Sequence, residues 1–302
     1  MALFASKTIE ECIMRDEITV PGGIDYFEFR CLYPGSEKFY FEWEKDADWF
    51  HLHFFPVRQF MIDTPIFPFI AVAIYGLAIY YGKKYFETRE RWNLRYTLAL
   101  WNFCLSSFST LGAIRMIPHV LHHYLDRSLR TNLCDDIELN YGRGNTGLWT
   151  LLFVMSKFPE LIDTFFIIVH KKPLIVLHWY HHITVLLYCW SSYVNKVPAG
   201  PLFAAMNYSV HAVMYFYYFL MAIRMKPKWM KPLVITVAQI LQMVLGVVIT
   251  IFQLHFYFND PEKTCQYSSA ILWSAFLMYA SYLALFLHFF FARYAVNKTK
   301  SA

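Results

Sequence analysis

Charge is scarce in this 302-residue chain: Asp, Glu, Lys and Arg make up 16% of it, against 57% hydrophobic residues and 20% aromatics. With a mean hydropathy of +0.33, this composition is rare in a soluble domain and usual in a helical membrane protein. No glycine-rich phosphate loop and no long-period repeat stands out. No block of lysine and arginine suits a nucleic acid; the basic residues form short clusters between apolar runs, so no nucleic-acid partner is expected. Residues 1–30 lack a continuous apolar core, so no cleavable signal peptide is expected. The net charge of +5 is unevenly spread, because residues 1–63 hold 6 Lys/Arg and 12 Asp/Glu, a balance of −6 that leaves +11 for residues 64–302. The chain therefore divides into an acidic segment (1–63), a membrane body (64–293) and a short basic tail (294–302).

The apolar residues fall into seven stretches long enough to cross a bilayer, about 64–82, 96–124, 147–170, 173–193, 198–223, 233–255 and 268–292. The expected fold is an all-α integral membrane protein with seven transmembrane helices. The connections after the first, third and fifth stretches, with the C-terminal tail, carry 14 Lys/Arg, whereas those after the second, fourth and sixth carry 5. Basic loops face the cytosol, which puts the N-terminus on the lumenal side and the C-terminus in the cytosol. Ahead of the first span, the runs 39–43 and 49–55 mix aromatics with charge and suit a membrane–water boundary. His51 and His53 are read as interfacial there rather than as a metal pair.

Polar side chains inside hydrocarbon are costly and mark function, and here they collect at one depth. The fourth span opens on His178-Trp179-Tyr180-His181-His182. At helical spacing its three histidines occupy neighbouring faces, roughly 7–14 Å from the cytosolic end. The third span carries Lys157, Glu160, Asp163 and Thr164 as a stripe in which a carboxylate can pair with the lysine. The fifth carries Asn207, His211 and Tyr215, followed by Tyr217 and Tyr218, and the sixth carries Gln239 and Gln242. All lie in the cytosolic half, which points to one polar chamber inside the bundle. Asn207, Gln239 and Gln242 fit interhelical hydrogen bonds as well as they fit a site. Metal, acid–base and nucleophilic chemistry could each use the histidines.

A second His-x-x-His-His, formed by His119, His122 and His123, ends the second span and invites a di-iron reading of the kind membrane desaturases and hydroxylases use. The topology opposes it: that box lies near the lumenal face, and a bilayer core of about 30 Å separates it from His178, far beyond coordination bonds of roughly 2 Å. A seven-span receptor or transporter is the other alternative, but its ligand pocket usually opens to the outer side, opposite to the polar layer here.

In order, Lys157-Phe158-Pro159-Glu160-Leu161-Ile162-Asp163-Thr164, His178-Trp179-Tyr180-His181-His182, Asn207 through Tyr218 and Thr236-Val237-Ala238-Gln239-Ile240-Leu241-Gln242 form a motif set. Over roughly residues 60–295 it resembles the ELO-type fatty acid elongases, membrane 3-ketoacyl-CoA synthases of the endoplasmic reticulum. The stretch from His178 to Tyr188 is most similar to the branch that elongates saturated and monounsaturated long chains, while the long acidic N-terminus departs from the family pattern.

The resemblance implies that long-chain acyl-CoA and malonyl-CoA give 3-ketoacyl-CoA, CO2 and CoA, with six of the seven helices around an acyl-CoA tunnel. It assigns His181 as the nucleophile forming an acyl-imidazole and His211 as helper in decarboxylation and condensation. The rest of the expected catalytic set is His178, His182, Glu160 and Asp163. Cys104 and Cys189 are the only cysteines within spans, and a histidine nucleophile oriented by a neighbouring imidazole or carboxylate fits the chemistry. The residues alone do not choose among the three histidines. Expected substrate contacts are Lys157, Asn207, Tyr215, Tyr218, Gln239 and Gln242. The basic residues Lys171, Lys172 and Arg224, with Lys226, Lys228 and Lys231, could take CoA phosphates, although topology and lipid headgroups explain them equally. No metal and no resident cofactor is expected.

The apolar lumenal half of the chamber would take the acyl tail, with Val185, Tyr188 and Ser192 as wall or end. Cys134 and Cys265, in lumenal loops, are expected to form a disulfide, which the resemblance also suggests; Cys12 and Cys31 are lumenal too and leave other pairings open. The tail lysines Lys298 and Lys300 resemble a dilysine retrieval signal for the endoplasmic reticulum. The sequons at Asn207 and Asn297 face no lumenal glycosylation machinery. Expected partners beyond membrane lipid are the ketoacyl-CoA reductase, dehydratase and enoyl-CoA reductase that complete an elongation cycle.

Overall fold

A computed structural model describes residues 57–134, 144–260, 265 and 267–295, together with Lys38, Tyr40, Phe41 and Glu44. The expectations for His51, His53, Cys12, Cys31, Asn297, Lys298 and Lys300 lie outside the described residues. All regular structure among the described residues is helical. A short α1 (Val57–Asp63) meets α2 (Phe67–Glu87) at 74°. There follow α3 (Arg95–Asp126), α4 (Leu129–Cys134), α5 (Gly144–Ser156), α6 (Ile162–Val169), α7 (Val176–Val194), α8 (Gly200–Ala222), α9 (Pro232–Phe258) and α10 (Ser269–Phe290).

The helix ends follow local chemistry. Proline stands in the first turn of α2, α8 and α9, where its missing N–H has no intrahelical partner to lose. Ser268 caps α10 by accepting from the Ile271 N–H. Just past α6, α7 and α8, Lys171, Lys196 and Arg224 adopt φ of 53°, 49° and 61°. At each, the next N–H bonds a carbonyl five residues back: Lys172 to Ile167, Val197 to Ser192 and Met225 to Leu220. These are Schellman endings with a basic residue where glycine is usual. They reverse the chain within a few residues, so α6, α7 and α8 alternate in direction.

By length and composition, α3, α9 and α10 are able to cross a membrane, and the bent α1–α2 pair makes a fourth span if taken as one. Helices α7 and α8, of 19 and 23 residues, are long enough but carry the histidines and tyrosines that lower their hydropathy. The expected third span departs most from the sequence reading. It is not one helix but two, α5 and α6, joined by a 3-10 turn at Pro159–Leu161. Pro159 has no N–H to continue the helical ladder. Lys157 and Phe158 instead donate to the carbonyls of Val154 and Met155, three residues back, at 3.3 and 3.2 Å.

The broadest helix–helix interface is between α3 and α8, and the next is between α9 and α10. Each depends on a glycine. A Cβ on Gly112 of α3 would come within 2.6 Å of the Tyr208 ring of α8, and one on Gly246 of α9 would collide with Tyr279 of α10. At one end of the bundle Cys134 and Cys265 are disulfide-bonded, with Cα atoms 4.4 Å apart. The other end carries the basic connections around Lys171 and Arg224.

Glu44 ties the N-terminal segment to this frame. Its carboxylate accepts from Arg115 Nε at 2.9 Å and Nη2 at 2.8 Å, from Trp149 Nε1 at 2.8 Å and from the Phe41 N–H at 2.8 Å. The Arg115 guanidinium also lies 4.2 Å from the centre of the Tyr40 ring. Burial is the largest single influence on Glu44 and opposes its ionisation, but the hydrogen bonds from Arg115, Phe41 and Trp149 together hold its carboxyl below the usual carboxylate range.

Gly112→Ala should therefore cost about 1–3 kcal/mol, because the Tyr208 ring must shift and strain its bond to the Trp149 carbonyl. Gly76→Ala, with nothing within 4 Å of the new Cβ, should be neutral or stabilising. Thermal unfolding in detergent compares the two, and equal midpoints would dismiss the close-packing account. Glu44 adds a pH signature. Its native pKa is depressed, so its contribution is complete above the ordinary carboxylate range and is lost as pH falls through the native value. Glu44→Gln should lower stability near neutrality and flatten the acid side of the stability–pH profile; an unaltered acid slope would argue against the role.

Candidate functional site

The break between α5 and α6 is where charge enters the bundle. Lys157 and Glu160 are 2% and 3% exposed, and Lys157 Nζ lies 2.7 Å from Glu160 Oε1. Ser156 Oγ donates to the same oxygen at 2.9 Å, and Lys157 sits 4.2 Å from the centre of the Phe153 ring. Its ammonium also donates to Asn207 Oδ1 on α8 at 3.2 Å. An ammonium has no acceptor, so the Asn207 oxygen faces the lysine and its NH2 faces His211 Nε2, 3.1 Å away. That amide can only donate. His211 Nε2 is therefore the acceptor, and a neutral His211 carries its proton on Nδ1.

One turn further, Asp163 accepts from Trp101 Nε1 of α3 and from the Tyr215 hydroxyl of α8, each at 2.6 Å. Tyr215 in turn stands against His211, ring centres 5.3 Å apart. Thr164 shares hydrogen bonds with the Tyr75 hydroxyl of α2 at 2.7 Å and with His178 Nε2 of α7 at 2.9 Å. His178 packs on His182, ring centres 4.5 Å apart. Among the described residues, His182 Nδ1 and Glu160 Oε2 are buried without a hydrogen-bond partner.

His181 differs from its neighbours. Its ring is held by packing, 5.5 Å from His182 and 5.0 Å from Tyr282, and neither ring nitrogen is hydrogen-bonded among the described residues. It lines an internal cavity together with Asn207 and Gln242. From His181 the cavity runs along α7 past Val185, Tyr188, Cys189 and Ser192, and it meets Phe203, Met243 and Tyr279 on the facing helices. Its volume is about 40 Å³, room for a few waters, so a long tail enters only if the side-chain walls yield.

Other sequence-predicted residues stand apart from the cavity. Tyr218 is 49% exposed on α8 and does not line the cavity. Gln239 donates to Met214 Sδ at 3.2 Å and is a helix–helix contact. The Lys171 ammonium caps the end of α2 by donating to the carbonyls of Glu87 and Arg89, at 3.4 and 3.1 Å. Lys172 and Arg224 are exposed at the basic end. Among the described residues no three His, Cys, Asp or Glu side chains converge as a metal-ligand set. His119 and His123 are buried together on α3, ring centres 4.3 Å apart. Asn132, near the disulfide, holds the His123 carbonyl, so this box belongs to the other end of the bundle. Tyr75, Trp101 and Tyr282 are the site residues that sequence reading missed, since each meets its partner only through the tertiary fold.

The ELO: GNS1/SUR4 family matches residues 60–302. Mouse "Very long chain fatty acid elongase 6" is 42% identical over 234 residues, covering 78% of this chain and 86% of the relative. Mouse "Very long chain fatty acid elongase 3" is 40% identical over 251 residues, 82% of this chain and 89% of the relative. "Fatty acid elongase 3" of Trypanosoma brucei brucei is 34% identical over 271 residues, 82% and 89% respectively.

Because Lys157 and Glu160 compensate each other away from water, Lys157→Met should lower stability on the order of 3–5 kcal/mol by stranding a buried carboxylate. Adding Glu160→Gln should recover much of that loss, as read from thermal midpoints in detergent. A double variant no more stable than the single one would mean that the pair is not what the break is built on.

Proposed function

The chain belongs to the ELO: GNS1/SUR4 family, and from that premise we propose how it works as the condensing enzyme of fatty acid elongation, with His181 as the group that carries the acyl chain. Family membership sets aside the di-iron and receptor readings. A long-chain acyl-CoA presents its thioester at the His181 end of the cavity. An imidazole nitrogen attacks the carbonyl carbon, the C–S bond breaks, and the imidazole proton leaves with the CoA thiolate. The acyl-imidazole waits for malonyl-CoA. Loss of CO2 leaves an electron pair on the malonyl α-carbon, which attacks the acyl carbon and expels the imidazole. The released imidazole takes up a proton, and the sum is acyl-CoA, malonyl-CoA and a proton giving 3-ketoacyl-CoA, CO2 and CoA. No resident cofactor is needed, because the thioester activates one partner and decarboxylation the other.

The single observation that carries this reading is an imidazole with two uncommitted nitrogens, facing a cavity and fixed by packing alone. A nucleophile needs a free lone pair in a set orientation. His211 suits a different part. With its Nε2 committed to Asn207, it offers the Nδ1–H to the thioester oxygen that gains charge as CO2 departs. Glu160, Lys157 and Asn207 act through His211 and are positioning residues; Asp163 and Tyr215 hold its far side. Gln242 contacts substrate from α9.

This is a multi-pass membrane protein. We read all seven apolar stretches as spans, with the broken α5–α6 pair as the third and six helices around the acyl tunnel. Basic loops favour the cytosolic side and the disulfide end the oxidising lumen of the endoplasmic reticulum. The 3-ketoacyl product calls for a reductase, a dehydratase and an enoyl reductase in the same membrane.

Incubation of the purified protein with acyl-CoA alone should leave one acyl group on His181 and release CoA; malonyl-CoA should then discharge it with evolution of CO2. His181→Ala should abolish the adduct, and His211→Ala should permit acylation while slowing condensation by about 10²–10³-fold. An adduct on another residue, or full condensation by His181→Ala, would refute the assignment.

A further inference from the structure

Beyond the cavity, towards the disulfide end of the bundle, lie buried hydrogen-bonding groups that have no partner among the described residues. The Gln253 side chain is 0% exposed, and among the described residues neither its amide nitrogen nor its oxygen has a partner. The hydroxyls of Tyr188 and Tyr124 are likewise buried and unpartnered. Tyr188 lines the cavity. Tyr124 and Tyr188 both pack on the cluster of Leu133, Ala199, Phe203 and Tyr279 towards the disulfide end. Ile249 and Phe256, which flank Gln253 on one face of α9, pack on the same cluster.

Helical register sets their depth. His181 on α7 and Gln242 on α9 both line the cavity, and α7 and α9 run in the same direction. Eleven residues further along each helix come Ser192, also a lining residue, and Gln253. Both therefore lie roughly 17 Å beyond the reacting imidazole. An amide and two phenols brought out of water without partners are costly, and a core that needed only to hold a methyl end would be filled by leucine and phenylalanine.

We propose that Gln253, Tyr188 and Tyr124 form a polar terminus of the acyl tunnel that binds a hydroxyl oxygen on the ω-end of the acyl chain. This rests on the elongase reading of the cavity. The Gln253 carbonyl accepts from the ω-hydroxyl, and its NH2 or a phenol donates to it. A bound water has the same chemistry and fills the place when the tail is unsubstituted. A site built to hydrogen-bond a hydroxyl discriminates strongly against the analogue that lacks it. The terminus therefore favours ω-hydroxyacyl-CoA at the length whose end reaches Gln253, and it resists the bare methyl end of the same chain.

The test follows CO2 release from malonyl-CoA by the full-length protein with palmitoyl-, stearoyl- and arachidoyl-CoA and their ω-hydroxy counterparts. The ratio of kcat/KM for hydroxy over plain chain should peak at one length, about tenfold or more above the others. Gln253→Leu and Tyr188→Phe should each lower that peak about tenfold, and Gln253→Leu should raise turnover of the plain chain of that length. Thermal midpoints identify a variant that fails to fold, and the peak in the wild type is informative without either variant. A ratio flat with chain length, or unaltered in both variants, means that the terminus holds water only, and the proposal fails while the elongase reading stands. Absence of CO2 release with every acyl-CoA would overturn both.

Discussion

The polar network around the motif histidines is built on the ion pair between Lys157 and Glu160. Either charge alone in a low-dielectric interior carries a penalty of several kcal/mol. Together they compensate each other at 2.7 Å, with Ser156, Asn207 and the Phe153 ring as further partners, while Glu160 Oε2 is left without a partner among the described residues. The pair forms where the backbone itself is irregular. Pro159 ends α5, and the 3-10 turn brings residues 157 and 160 together at a spacing of three per turn. The proline that breaks the helix therefore also makes the site, with the Lys157 and Glu160 side chains buried in protein.

Information passes outward from that pair by elimination of hydrogen-bond roles. Lysine can only donate, which orients Asn207; Asn207 can then only donate to His211, which leaves one tautomer. Asp163 and Thr164, on the next turn, engage helices α2, α3, α7 and α8 at once. Three of the motif histidines are thereby given fixed neighbours, by a hydrogen bond at His178 and His211 and by ring packing at His182. Of the four, His181 is the one that lines the cavity, and neither of its ring nitrogens is hydrogen-bonded among the described residues. On the proposed reading, a nucleophile and a positioned donor thus come from one network.

The chamber was legible in the sequence because membrane burial makes polar residues conspicuous: Lys157, Glu160, His178, His211 and Gln242 stand out against apolar neighbours, and helical spacing puts them at one level. The helix starts and ends were legible to within a few residues, since prolines and the Ser268 cap are local signals. The break in the third span was not. A hydropathy pattern averages over Pro159, and the stripe from Lys157 to Thr164 has helical spacing whether or not the helix is continuous. The inward face of α8 was misjudged at Tyr218 for a related reason, because five tyrosine and phenylalanine residues in succession, Tyr215 to Phe219, give no periodicity to read. Lys171 was unpredictable in principle: its partners are backbone carbonyls of α2, which carry no sequence signature.

In the mechanism proposed above, depth within the cavity also gives a reason for the chemistry to fall to histidine when a cysteine lines the same wall. Cys189 is two turns of α7 beyond His181, buried beside Tyr188 and Tyr279. In the proposed mechanism a thiol there meets the hydrocarbon of a bound acyl chain, not its thioester. His181 stands at the end nearest Lys157, Asn207 and His211, where the CoA ester must stay because its phosphates cannot enter an apolar channel. A neutral imidazole needs no prior ionisation to attack, which matters in a cavity that penalises charge. On the proposed reading, the polar end of the substrate and the polar end of the bundle are matched in depth, and that matching selects His181 as the reacting residue.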